Sequence, residues 1–331
     1  MKRRVSAPSV AVAVPSDAEA GRGSALIETA AGPIEYAVEG AGHPLLSIHG
    51  AGGGFDQGLA NARELVGDGF RVVAPSRFGY LRTPVPKDVS PAAQAAAHAA
   101  LLTALGITSA TVLGVSAGAR SAVELALRRP DLVAALILVV PALYSPSSPV
   151  AVESSSTSQL AFRMVNAGMD FVWWAAQRVM PSMLVRFMGV PPALFAALPP
   201  GARDRVLRIV GSVQPLSRRA AGIRIDSAAE LHDLPLERVS APTLVMSARD
   251  DLFNTVPAAE FAAAQIPGAA LIIYETGGHL LAGREADARA AARAFLAKLR
   301  LIPFLRMISN DALPIRQRRA GRLAQVNASD E

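Results

Sequence analysis

The sequence predicts an α/β fold, a mainly parallel and doubly wound sheet carrying one helical insertion. Three observations lead there. Short apolar runs of β-forming residues alternate with helical runs of roughly ten to fifteen residues, the pattern of a parallel sheet covered on both faces. The alternation breaks once, between Leu143 and Leu236, where no convincing strand occurs. A Gly-x-Ser-x-Gly pattern sits at one strand-to-helix junction. At 331 residues with 51% hydrophobic and 18% charged side chains, the chain can bury a large core and is not a disordered polymer.

Each element has its own signal. Ala25 to Val38 holds two β-like runs around Gly32-Pro33, read as a hairpin. Pro44 to His49, Arg71 to Pro75 and Ala110 to Val115 are short apolar strands. Val133 to Val140 is nearly all apolar, as a strand buried on both faces requires. Helical stretches lie between them at Gln57 to Val66, Pro91 to Leu105 and Ala117 to Arg128. Ser90 followed by Pro91 is a helix start, and Gly106 ends that helix. The alternation resumes with a strand at Pro242 to Met246, a helix at Pro257 to Gln265, a strand at Ala270 to Tyr274 and a helix from about Arg284 to Leu299.

The interruption opens with a Ser/Pro-rich linker, Ser145 to Ser158. Ala161 to Met180 and Met183 to Met188 follow, rich in Met, Phe and Trp, then the more polar helical stretches Arg203 to Val210 and Ser217 to Ile225. An insertion between two parallel strands can lie over the carboxyl edge of the sheet, where such sheets bind ligands. It reads as a cap, with Phe171, Trp173, Trp174 and Met183 filling its own core rather than touching a ligand. The boundaries expected are a tail over 1–23, a core of 24–143 with 236–299, a cap over 144–235 and a basic tail over 300–331. No internal repeat is visible.

Composition removes several functions. With no cysteine, disulfide scaffolds, thiolate metal sites, iron–sulfur clusters and thiol nucleophiles are all excluded. The net charge of +6 gathers at the ends, in Lys2, Arg3 and Arg4 and in Arg306, Arg316, Arg318, Arg319 and Arg322. A nucleic-acid binder would carry its cations on one folded face with aromatics between them, so no nucleic-acid partner is expected. The uncharged run Leu132 to Val152 is broken by Pro141, Pro146 and Pro149, too early to span a bilayer. A basic start, the run Val5 to Val14 and Ala18-Glu19-Ala20 loosely match an export signal, but Ser6, Pro8 and Ser9 interrupt its apolar part. A cytoplasmic location is expected, with export or membrane association as the alternative. Oligomeric state is not written in the sequence.

The chemistry starts at Gly114-Val115-Ser116-Ala117-Gly118, which follows an apolar strand and opens a helix. A serine on such a sharp turn is lifted above the sheet edge, and bulky residues two positions either side would clash. A serine hydroxyl needs a base to take its proton. Of five histidines, His43 precedes a strand, His98 is mid-helix, His232 lies in the insertion and His49 opens a glycine loop. Only His279, in Gly277-Gly278-His279-Leu280, sits in a loop after a late strand and completes the order Ser, Asp, His. The carboxylate that orients it should follow the strand Pro242 to Met246, where Asp250 and Asp251 are both candidates. His49-Gly50-Ala51-Gly52-Gly53-Gly54 ends another strand, and its flexible backbone suits an oxyanion hole. The N–H of Ala51 or Gly52 would be one donor and that of Ala117 the other. No Gly-x-x-x-x-Gly-Lys phosphate signature accompanies the loop.

These motifs, in this order, resemble the α/β-hydrolase superfamily over about residues 24–143 and 236–299. The resemblance implies that fold, no metal or organic cofactor, and Asp251 rather than Asp250 as the acid. There are departures. Where many members carry Asp-x-x-Gly-x-Gly-x-Ser, this chain has Ser76-Arg77-Phe78-Gly79-Tyr80-Leu81-Arg82-Thr83. Ser116 in the nucleophile position disfavours the haloalkane dehalogenase and epoxide hydrolase branches, and Leu280 after the histidine disfavours the carbon–carbon bond hydrolases. The expectation is a serine hydrolase acting on small or medium apolar esters. The alternatives are a carbon–carbon bond hydrolase, a cofactor-free haloperoxidase, or a non-catalytic ligand-binding protein with the same fold. Phe55, Arg77 and the cap would decide between the enzymes.

Overall fold

A computed structural model of the chain describes residues 23–147 and 170–301. The expectations for the N-terminal segment, most of the Ser/Pro-rich linker and the basic tail lie outside the described residues. Eight strands form one sheet: β1 (Ala25–Thr29), β2 (Gly32–Glu39), β3 (His43–Ile48), β4 (Phe70–Pro75), β5 (Ala110–Val115), β6 (Val133–Val139), β7 (Thr243–Ala248) and β8 (Ala270–Tyr274). Their order across the sheet is β1-β2-β4-β3-β5-β6-β7-β8. β1 and β2 are antiparallel to their neighbours, and every pairing from β4 to β8 is parallel.

Period-two alternation sorts the strand side chains onto two cores. Leu46, Val112, Leu136, Leu138 and Val245 face one side, under α2 (Pro91–Ala104), α3 (Gly118–Arg128) and α9 (Val256–Gln265). Leu45, Leu113, Ile137, Leu244 and Met246 face the other, under α1 (Phe55–Leu65) and α10 (Glu285–Lys298). Both faces are covered, so the central strands need apolar residues at consecutive positions. The alanines of α2 let it lie close against α3, and Ser90 caps it by accepting the Ala93 N–H at 3.1 Å.

The first hairpin turns two residues earlier than the sequence suggests. Ala30 and Ala31 make the turn, while Gly32 and Pro33 pair with Thr29 and Glu28 inside the ladder. Thr29 closes the turn, its hydroxyl donating to the Gly32 carbonyl and accepting the Ala31 N–H. Pro33 is tolerated because β4 pairs only with the later part of β2, from Tyr36 to Glu39.

Between β6 and β7 the described residues form α4 (Asp170–Val179), α5 (Pro181–Phe187), α6 (Pro192–Ala197), α7 (Pro200–Ser212) and α8 (Ala220–Ala228). Prolines open α5, α6 and α7, where the missing N–H costs nothing. α6 was not anticipated, because six residues between prolines are too short to show a period. These helices share a separate apolar cluster that includes Trp173, Leu184, Phe195, Val206 and Val210. Trp173 donates its indole N–H to the Val210 carbonyl at 3.0 Å, the partner a buried tryptophan needs. The expectation that all four large apolar residues fill this core holds for Trp173 alone. Phe171, Trp174 and Met183 are exposed, because α4 and α5 turn their inner faces through Trp173, Leu184 and Val185 instead.

Candidate active site

Ser116 leaves β5 in the left-handed region, with φ of 51°. Its N–H donates to the Val139 carbonyl at 2.9 Å, and its own carbonyl accepts the Ala119 and Ala142 N–H groups. The flanking glycines have a steric reason. A Cβ on Gly114 would lie 2.7 Å from that of Ala122, and one on Gly118 would lie 2.5 Å from the His49 carbonyl oxygen. The elbow is thus pressed against α3 on one side and the glycine loop on the other.

From this turn the Ser116 hydroxyl lies 2.8 Å from His279 Nε2. His279 Nδ1 lies 2.8 Å from Asp251 Oδ2. With the Nδ1 proton donated to the carboxylate, Nε2 is left to accept from the serine. The Asp251 side chain is fully buried. It also accepts the Phe253 N–H at 2.9 Å and the Thr255 hydroxyl. Burial alone would raise its pKa, but His279 and these donors hold it below the usual aspartate value. The two aspartates left open by spacing therefore have different surroundings. Asp250 does not reach the imidazole; it accepts the Gly278 N–H at 2.7 Å and shapes the loop that carries His279. The Phe253 ring stands edge-on to the imidazole, centroids 4.6 Å apart.

The insertion contributes a contact the sequence did not announce. The Gly189 carbonyl accepts the N–H groups of both His279 and Leu252, tying the histidine loop to the acid loop. Gly189 has φ of 77°, and a Cβ there would come within 2.5 Å of the His279 Cβ.

Across the site, Ala51, Gly52, Ser116 and Ala117 line a cavity of about 650 Å³ with His279. Gly52 is engaged elsewhere, since its N–H donates to the Tyr80 hydroxyl at 3.2 Å. Tyr80 in turn donates to Asp226 of α8 at 2.5 Å. Asp226 accepts both ends of the Arg77 guanidinium, at 2.8 and 2.5 Å, and Arg77 also donates to the Gly50 carbonyl at 3.2 Å. One buried carboxylate from the insertion thereby anchors the glycine loop at two points. Burial opposes its charge, but Arg77 and Arg120 keep its pKa below the usual value. His49 spends both nitrogens beneath the loop, Nδ1 on the Gly50 carbonyl and Nε2 accepting the Arg77 N–H. Burial and the nearby Arg77 hold it neutral, with a pKa well below that of free histidine. Phe55 and Arg77 were expected to discriminate between activities; neither lines the cavity, and Arg77 is committed to Asp226.

The missing aspartate at position 76 has a substitute. Glu35 of β2 accepts the Ser76 hydroxyl at 2.9 Å and the Arg82 N–H at 3.0 Å. The carboxylate that stabilises this turn comes from the neighbouring strand instead. Its sequence signal is an acid set between the apolar Ile34 and Tyr36 within a strand. Among the described residues, no three His, Cys, Asp or Glu side chains converge as a metal site, and no helix is long and apolar enough to cross a membrane.

Comparison with known proteins bears on the fold. The model of the alpha/beta hydrolase fold family matches residues 43–181. The uncharacterized hydrolase YcgS of Bacillus subtilis is 27% identical over 274 residues, covering 77% of this chain and 91% of that protein. An alpha/beta hydrolase fold protein from Nakamurella multipartita superposes with a TM-score of 0.65 at 31% identity, covering 82% of this chain and 98% of its own. A thermophilic esterase from Thermogutta terrifontis superposes with a TM-score of 0.59 at 25% identity, covering 83% and 98% respectively. With its sheet order, its serine elbow and these relatives in agreement, the chain belongs to the alpha/beta hydrolase fold family.

Proposed function

We propose that this protein is a serine hydrolase whose substrates are small or medium apolar carboxylic esters. The observation that carries the reading is the unbroken relay from Ser116 through His279 to Asp251, with both links at 2.8 Å. In the first half-reaction His279 Nε2 takes the hydroxyl proton as Ser116 Oγ attacks the ester carbonyl. Asp251 holds the ring by its Nδ1–H and offsets the charge of the imidazolium. The negative charge that develops on the carbonyl oxygen is stabilised by the N–H groups of Ala51 and Ala117. Gly52 is the weaker candidate for that role, given its bond to Tyr80. Collapse of the tetrahedral intermediate breaks the C–O bond, and His279 returns the proton to the leaving alcohol. Water, deprotonated by the same imidazole, then attacks the acyl-serine and releases the acid.

The described part of the insertion, residues 170–235, acts as a cap over a core of 24–143 and 236–299. A cavity of about 650 Å³, walled by Trp173, Leu184, Val213 and Leu216, falls in the size range of small-molecule sites and favours an apolar acyl or alcohol group. The Thermogutta esterase, a relative over most of the chain, supports ester chemistry. A chain-length series of p-nitrophenyl esters, assayed at about pH 7 to 8 where a histidine base is neutral, tests the reading. Wild type should turn over with an optimum at short or medium acyl length, and Ser116→Ala should lose roughly a thousandfold or more. A folded Ser116→Ala variant as active as wild type would sink it.

A further inference from the structure

The part of the cavity wall supplied by α3 carries a cation that the reaction above does not use. Arg120 lies one turn into α3 from Ser116 and lines the same cavity. Its Nε donates to the Ala142 carbonyl at 3.1 Å, and Nη1 donates to the backbone carbonyl of Asp226 at 3.1 Å. Ala142 is itself bonded to the Ser116 carbonyl, so the guanidinium stands two hydrogen bonds from the nucleophile's backbone. Among the described residues, the other cavity cations within the walls are matched. Arg205 meets Glu64 and Glu285, while Arg186 is exposed at the rim. Asp56, the other cavity acid near α8, is taken by Arg219.

Among the described residues, Arg120 has no such carboxylate. Both oxygens of Asp226 are committed to Arg77 and Tyr80, and only its carbonyl faces Arg120. The groups that act on Arg120 are Asp226, Arg77 and Tyr80. Two guanidinium groups thus surround one carboxylate. Tyr80 is neutral, its pKa raised well above 10.0 by burial and the adjacent Asp226. Among the described residues, one positive charge is left without a carboxylate of its own in a half-buried wall. Burial lowers the Arg120 pKa accordingly, with Arg77 adding to the effect and Asp226 opposing it. A charge held out of bulk water gains more from an anionic partner than a solvated one does.

We propose that Arg120 is the anion-binding end of the substrate pocket, so that the preferred ester carries a carboxylate on its acyl chain, as in a half-ester of a short dicarboxylic acid. The rest of the cavity holds the apolar methylenes, and the guanidinium's Nη2, which has no partner among the described residues, receives the terminal carboxylate. This rests on the serine-hydrolase reading for the position of the ester bond and narrows its apolar esters to those whose apolar chain ends in a carboxylate.

The test compares p-nitrophenyl hydrogen glutarate, which is anionic, with neutral p-nitrophenyl butyrate on wild type, Arg120→Met and Arg120→Lys. The readout is the ratio of their kcat/KM values, because loss of the two backbone bonds alone would depress both esters together. In parallel, glutarate is titrated calorimetrically into each protein. The proposal expects the ratio to fall about ten- to a hundredfold in Arg120→Met and to recover partly in Arg120→Lys, with glutarate binding lost in the methionine variant. A ratio unchanged within about twofold, with glutarate binding equal or absent throughout, overturns it. If wild type hydrolyses neither ester, the ester-hydrolase reading has failed, yet the titration still decides the subsite. Binding that depends on Arg120 upholds it, and binding that does not overturns it. Should Arg120→Met fail to fold, Arg120→Gln removes the charge while keeping a donor, and the same ratio and titration are read from it.

Discussion

Asp226→Asn is the perturbation that reaches furthest into this structure. The substitution keeps the shape of the side chain and removes its charge, leaving Arg77 with 7% of its side chain exposed and no carboxylate partner. Asparagine keeps one accepting oxygen, yet Asp226 now accepts two Arg77 bonds and one from Tyr80. Its amide group must therefore face at least one donor. Breaking a buried pair on one side costs about 3–5 kcal/mol, a large share of the roughly 5–15 kcal/mol that holds a domain together. The second consequence is local to the site. Arg77 and Tyr80 tether Gly50 and Gly52, so the loop carrying Ala51 loosens, and losing one aligned oxyanion donor costs about a hundredfold or more in kcat. Urea unfolding at pH 7 reads the first effect and ester turnover the second. The double variant Arg77→Met with Asp226→Leu should recover much of the stability but not kcat, because the Arg77 charge is no longer stranded while its tether to the Gly50 carbonyl stays absent. The Asp226 pKa is lowered in the folded state, so its contribution is fully present above the ordinary value of 3.8 and fades as pH falls through the lowered one. A stability loss below about 1 kcal/mol at pH 7, or a double variant that regains full activity, would refute the reasoning.

Three further outcomes follow from the same geometry. Asp251→Asn should cut kcat by roughly a thousandfold or more, as loss of the orienting carboxylate does in triad enzymes, while Asp250→Ala, which removes only the Gly278 contact, should cost about tenfold or less; equal losses in a kinetic comparison would reject Asp251 as the acid. Gly189→Ala should lower kcat about a hundredfold with a smaller effect on stability, since its Cβ would press on His279 and Phe253, and an unimpaired variant would show that this carbonyl does not place the histidine. His98 is buried and its pKa is lowered to about 3 by burial and by Arg77, so it stays neutral in the folded chain while the unfolded chain binds a proton below about pH 6.5. Stability should therefore fall with pH between those values, and His98→Gln should remove about 1.4 kcal/mol per pH unit of that slope; parallel curves in unfolding titrations would contradict it.

The juxtaposition of Ser116 and His279 was legible because both residues sit in short local patterns with a steric cause. Ser116 stands between glycines that nothing larger could replace, and β5 and β8 have the bounds their apolar runs indicate. The choice between Asp250 and Asp251 was not legible from spacing, because one residue of offset decides which carboxylate turns inward, and only the folded turn sets that. The supports of the glycine loop were hidden for another reason. Arg77 and Asp226 are 149 positions apart, and neither belongs to a motif. Gly189 looked like any other loop glycine until its carbonyl was found beneath His279. The displaced hairpin has a plainer origin: Gly-Pro is a strong turn signal, but the Thr29 side chain closes an earlier turn and the strand simply continues through Pro33.

The central claim is that Ser116 becomes acylated. Incubation with an alkyl fluorophosphonate, followed by intact mass measurement and peptide mapping, tests it without a choice of substrate. The account requires a single adduct on the peptide containing Ser116, formed far more slowly in His279→Ala and absent in Ser116→Ala. An adduct on another residue, or equal labelling of a folded Ser116→Ala variant, would contradict it.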